Sequence, residues 1–100
     1  MVKYLNPSDI KVTDAVTVLD IREQQELQRT GTVKGAVHIP LAELSARLSE
    51  VPKEKPVYVY CMSGGRASMA YDILVADGFD AYNCGGIGDW YHCGHEIVDI

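Results

Sequence analysis

One hundred residues, 47% of them hydrophobic, hold enough apolar material for one core, so a single domain over residues 1–100 is expected. Nine basic residues against fourteen acidic ones leave a formal charge of −5, and the basic residues are scattered. A nucleic acid or an anionic membrane surface needs concentrated positive charge to bind, so neither is an expected partner. No apolar run approaches the ~18 residues of a membrane helix, and the start, Met1 to Pro7, has no stretch of signal-peptide length. Cys61, Cys84 and Cys93 are odd in number and form no close pair, which argues against a disulfide framework and for a reducing, cytoplasmic setting.

In chain order, Asn6-Pro7-Ser8-Asp9 reads as a turn, with Ser8 or Asp9 able to cap a short helical turn. Residues 15–20 read as a strand apolar on both faces, as buried parallel strands are. A short polar helix is expected over residues 23–29, stopping near Gly31. Val37-His38-Ile39-Pro40 is a brief extended piece, because the residue before a proline avoids the helical region. Residues 41–48 are predicted helical, with Leu41, Leu44 and Leu48 on one stripe. After a solvated Lys53-Glu54-Lys55 turn, residues 56–60 alternate valine and tyrosine as a second strand. The loop Cys61-Met62-Ser63-Gly64-Gly65-Arg66 follows, then a helix from about Arg66 to Asp77. Met69, Ala70, Ile73 and Leu74 share one face of it, and Gly78 is its left-handed stop. Residues 79–83 form a third strand, ahead of Gly85-Gly86 and a helix carrying Trp90. Strands alternating with helices predict an α/β/α sandwich around a parallel sheet. Ligands of such sheets sit at the carboxyl ends of the strands, and Cys61 falls at one.

The loop has a chemistry of its own. Gly64 and Gly65 permit backbone angles and close approaches that side chains forbid, and such a loop can aim several N–H groups inward as a nest for negative charge. The helix start adds about half a positive charge and Arg66 a whole one. All three favour thiolate over thiol at Cys61, and the same donors would stabilise a persulfide. A cysteine at a strand end is also often a small buried hydrophobe, and two glycines are often only a turn. The residues alone leave both readings open.

The loop resembles the C-x-x-G-x-R active-site loop of the rhodanese family, and the likeness extends along the chain. Asp20-Ile21-Arg22 with Glu26-Leu27 resembles that family's D-x-R-x-x-x-E-(F/Y) element, and Gly35-Ala36-Val37-His38-Ile39-Pro40 its G-A-x-x-I-P element. Ala70, Leu74, Gly78-Phe79, Gly85-Gly86 and Trp90 fall in matching order. Thr32-Val33 and Ala67 depart from the family's usual His-Ile and Ser. The resemblance implies a three-layer fold with a central five-stranded, mainly parallel sheet. It implies a sulfurtransferase that moves a sulfane sulfur from a donor such as thiosulfate to a thiol or cyanide acceptor. Cys61 would carry the sulfur as a persulfide, and the backbone of Met62, Ser63, Gly64, Gly65 and Arg66 would cradle it. Arg66 would anchor an anionic donor, and Asp20 with Arg22 would support the loop as an ion pair. No cofactor and no metal is implied. A sulfur-carrier, sensing or interaction module, attached to a larger redox or membrane protein, is the alternative.

Phosphatases and arsenate reductases of related fold use a C-x5-R loop. Here the arginine arrives after four residues, and the position that a C-x5-R loop gives to arginine holds Ala67. The shorter loop encloses a smaller bowl, matched to one sulfur rather than to a tetrahedral oxyanion. Cys84, His92, Cys93 and His95 crowd the C-terminal stretch, but their spacing is not that of a zinc site. Cys84 lies at another strand end and is a candidate resolving thiol, against a simpler role as a buried spectator.

Overall fold

The computed structural model describes residues 1–100. Its central sheet has four parallel strands in the order β3 (Val37–His38), β1 (Thr17–Asp20), β4 (Val57–Cys61), β5 (Ala81–Gly86). The expected fifth strand is reduced to one bridge. Tyr4 pairs in parallel with Asn83, where Leu5 N donates to Asn83 O at 3.1 Å and Asn83 N to Lys3 O at 2.8 Å.

The period-two side-chain alternation of β4 sorts the two faces of the sheet. Val57, Val59 and Cys61 join Leu19 and Ala81 under α2 (Leu41–Leu44) and α3 (Gly65–Ala76), which contribute Leu44, Ala67, Ala70 and Leu74. On the other face Tyr60, Val18 and Cys84 meet Ile10 and the Ile87 and Trp90 side chains of α4 (Ile87–His92). The result is the expected three-layer α/β/α arrangement. No helix is long and apolar enough to cross a membrane.

Two expectations of local structure change. The helix over 41–48 is α-helical only to Leu44, and residues Ser45–Glu50 wind as a 3-10 turn with Arg47 off helical geometry at φ −119°, ψ 17°. Ser45 and Ser49 are weak helix formers, and the Arg47 guanidinium bonds Glu43 and Glu50 on either side of the break. A ribbon of two short antiparallel strands, β2 (Thr32–Val33) and β6 (Ile97–Val98), was not legible from the pattern. Two-residue strands show no periodicity, and their pairing joins positions far apart in sequence.

A buried polar cluster fastens the carboxyl ends of β1 and β4. Asp20 and Arg22 are both fully buried. Arg22 Nη2 donates to Asp20 Oδ2 at 2.8 Å and Nε to Oδ1 at 3.0 Å, while the Arg22 amide also reaches Oδ1 at 3.0 Å. The rest of the guanidinium binds Thr30 Oγ1 and Gly31 O, both at 2.8 Å, at the end of α1 (Gln24–Thr30). Asp20 Oδ2 further accepts from Tyr60 OH at 2.7 Å and Thr32 Oγ1 at 2.9 Å. Tyr60 OH in turn accepts the Val33 amide at 2.9 Å, and no buried side-chain polar atom is left without a partner. Burial alone would raise the Asp20 pKa; the bonds from Arg22 and Tyr60 outweigh it and hold the carboxyl below its ordinary value.

This pair is scaffold, and removing one charge strands the other. Asp20→Ala is expected to lower the unfolding free energy by about 3–5 kcal/mol, measured by urea denaturation at neutral pH. A depressed carboxyl stabilises the fold above its unfolded pKa, so the same melts should show the wild type losing its advantage over the variant as pH falls through the acid range.

Candidate active site

Cys61 is the last residue of β4 and lies under the loop that leads into α3. The residue is only 1% exposed, so its thiol forms the floor of the site. Its sulfur accepts the Gly64 amide at 2.9 Å. Gly64 reaches that position with φ of +98°, a left-handed conformation that a side chain resists. Gly65, by contrast, is the first residue of α3, has no positive φ, and a Cβ built on it meets nothing within 4 Å. Of the two glycines, only Gly64 is required by the backbone.

The first amide of α3 to find an acceptor is that of Ser68, bonded to Gly64 O at 3.2 Å. The amides of Met62, Ser63, Gly65 and Arg66 have no acceptor in the protein. The loop therefore puts one main-chain donor on the sulfur and carries four more that the fold itself does not use. Met62 and Ser63 are exposed, Gly64 is half-buried, and Gly65 is exposed at the start of the helix.

Three contacts hold the loop in place. Gly86 pairs with Cys61 across the sheet, and a Cβ at Gly86 would collide with the Met62 carbonyl and lie 3.0 Å from Ser63 Cα. Asn83, buried on β5, donates from Nδ2 to Gly64 O at 3.0 Å and to Ser68 Oγ at 2.9 Å, and accepts the Gly85 amide at 2.9 Å. Arg66 forms a two-pronged bond to Glu26 of α1, Nη1 to Oε1 at 2.7 Å and Nη2 to Oε2 at 2.8 Å. That fork, helped by the Glu23 amide at 2.9 Å, holds the Glu26 carboxyl down at about 2. The stability that this ion pair contributes is therefore fully present above a pH of about 4.5 and is lost as pH falls towards about 2. Arg66 is kept protonated by Glu26 first, then by the charges of Cys61 and Glu23.

Of the expected site residues, the structure puts the Gly64 amide on the Cys61 sulfur, while the Arg66 guanidinium is bonded to Glu26. Asp20 and Arg22 stand behind Tyr60, the residue before Cys61, with every polar group engaged inside the fold. Asn83 and the role of Gly86 escaped the sequence reading, since an asparagine in a short strand and a glycine pair carry no distinctive pattern. Glu26 was visible only as part of the D-x-R-x-x-x-E spacing, without its partner. Cys84 does not approach as a resolving thiol. It packs on the opposite face of the sheet with Trp90 and Tyr60, and burial pushes its thiol up to about 12. Cys93 is exposed, with Sγ donating to Trp90 O at 3.4 Å, and His95 packs 4.7 Å from Trp90 with Nε2–H donating to Pro7 O at 2.7 Å. The largest cavity, about 920 Å³, is lined by Val16, Thr17 and Lys55, at the end of the sheet away from Cys61.

The family model of the rhodanese-like domain matches residues 6–93. The chain belongs to the rhodanese-like domain family. A sulfurtransferase of Allochromatium vinosum is 35% identical over 88 residues, covering 86% of this chain and 81% of that one. The putative sulfur carrier protein YrkF of Bacillus subtilis is 35% identical over 66 residues, which are 66% of this chain but only 35% of its own length. Among solved structures, a rhodanese-related protein from Thermoplasma volcanium superposes with a TM-score of 0.85 at 31% identity, over 96% of this chain and 97% of that chain.

The two glycines give opposite expectations in thermal and urea melts. Gly65→Ala should raise stability by roughly 0.5–1 kcal/mol, because alanine suits an unobstructed helical position better than glycine. Gly86→Ala should cost about 1–3 kcal/mol or more, because the Met62 carbonyl has to move.

Proposed function

We propose that residues 1–100 form one rhodanese-like domain that works as a sulfurtransferase through a persulfide on Cys61. The observation that carries this reading is the Gly64 amide on the Cys61 sulfur, within a loop whose remaining amides are free. In the first half-reaction the Cys61 thiolate attacks the outer sulfur of a donor such as thiosulfate. A new S–S bond forms to Cys61, the donor's own S–S bond breaks, and sulfite leaves with the bonding pair. The outer sulfur of the persulfide then carries the negative charge. The amides of Met62, Ser63, Gly65 and Arg66 stabilise it there without reorganising. In the second half-reaction an acceptor thiolate or cyanide attacks that outer sulfur, and Cys61 departs as thiolate, ready to react again.

Three unpaired thiols fit a reducing compartment such as the cytoplasm.

Incubation with thiosulfate followed by intact-mass measurement is expected to show a gain of about 32 Da, one sulfur, which is removed by cyanide as thiocyanate. Cys61→Ser should show neither the adduct nor thiocyanate formation above the uncatalysed background. A wild-type protein that never gained the sulfur would overturn the proposal. One that gained it but released it to neither cyanide nor a small thiol would be a carrier, the role in which YrkF is named.

A further inference from the structure

We infer that Glu26 is a specificity-determining residue of this site, disfavouring doubly charged donors by keeping the Arg66 guanidinium occupied; the inference rests on the Cys61 sulfur-transfer reading. Arg66 is the one arginine of the loop, and its two terminal nitrogens both bond Glu26. An oxyanion donor gains most from a guanidinium by the same two-pronged contact. Here a carboxylate of the protein already fills it, and that carboxylate is only 17% exposed and stays ionised down to a pH of about 2.

Most of the other cations are engaged or lie elsewhere. Arg22 is fully buried and neutralised by Asp20. Lys3, Lys34, Arg47 and Lys53 are each paired with an acidic residue. Lys11 and Lys55 line the cavity at the far end of the sheet, which leaves Arg29, in the last turn of α1. The side of α1 nearest the pair adds the carboxylate of Glu23, a charge that Arg66 feels. With Cys61 ionised, Arg66, Glu26, Glu23 and the thiolate together are net negative. The free amides suit one anionic sulfur, while the second charge of a sulfonate-type oxyanion finds the loop's one guanidinium already taken. Donors with a single negative charge are therefore favoured over dianions.

Thiosulfate and methanethiosulfonate make a matched pair for the test, since both present a terminal sulfur on an oxidised sulfur but differ by one charge. In the second case Cys61 takes the terminal sulfur and methanesulfinate leaves, so the charge balances at −2 before and after. Steady-state kinetics with cyanide as acceptor should give the wild type a higher kcat/KM for methanethiosulfonate. Glu26→Gln, nearly isosteric, frees part of the fork. It should improve kcat/KM for thiosulfate about tenfold relative to methanethiosulfonate, mainly through KM, as one recovered charge-assisted hydrogen bond would. Glu26→Asp keeps the charge and should leave the donor ratio near the wild-type value. Equal changes for both donors in Glu26→Gln, or a fall in kcat with an unchanged ratio, would mean that Glu26 only braces the loop, and would overturn the inference. Wild-type protein that took sulfur from neither donor would instead overturn the sulfur-transfer reading, and this one with it.

Discussion

The site depends on the buried pair of Asp20 and Arg22. Two full charges taken out of water are tolerated only because each polar atom around them is bonded, and those bonds come from four different elements. Asp20 ends β1, Thr30 and Gly31 end α1, Thr32 begins β2, and Tyr60 is the penultimate residue of β4. The cluster thereby locks the end of β4 in direction and rotation, with Tyr60 turned towards it. By the alternation of a strand, Cys61 must then point to the other face, under α3. A purely apolar patch could supply similar stability, but it would not specify which way the last residue of β4 faces.

The loop beyond Cys61 is held as a stiff frame. Its Gly64 carbonyl is fastened by Asn83 and by the Ser68 amide, and its Met62 carbonyl lies close against Gly86, where a Cβ would collide with it. Its amides, apart from the one on Cys61, are left over. A frame that consumes acceptors and spares donors is suited to an anion, and it needs no side chain to complete it. The clamp from Arg66 to Glu26 ties the same frame to α1, so a charge commonly read as a ligand contact also has a structural partner. Both hydrogen-bonding ends of the Arg66 guanidinium go to Glu26.

The sheet also separates the thiols. Cys61 and Cys84 lie near adjoining strand ends, yet the pleat sends them to opposite layers, and the burial that makes Cys84 part of the Trp90 core also suppresses its ionisation. Two of the three histidines are likewise absorbed into packing. His95 lies against Trp90 and His38 donates from Nε2 to Arg22 O at 2.6 Å. Residues whose chemistry invites a functional story are thus sorted by which layer of the sandwich they fall in.

Local patterns carried a large share of this molecule. The valine–tyrosine alternation marked β4, and the cysteine at its end with two glycines and an arginine marked the loop; of the α3 face read as Met69, Ala70, Ile73 and Leu74, Ala70 and Leu74 are buried but Met69 is exposed, and Ala67 and Tyr71 complete the inner face instead. These features are governed by neighbours within a few residues, so linear order is enough to expose them. The ribbon of β2 and β6, the bridge at Tyr4, the break after Leu44, and the choice of Glu26 as the Arg66 partner were decided by tertiary packing. Each joins positions brought together only when the sheet closes, or, at Leu44, yields a weak helical preference to neighbouring contacts. Asn83 belongs to the same class: its amide serves three partners at once, and that arrangement exists only after β5 lies beside the loop.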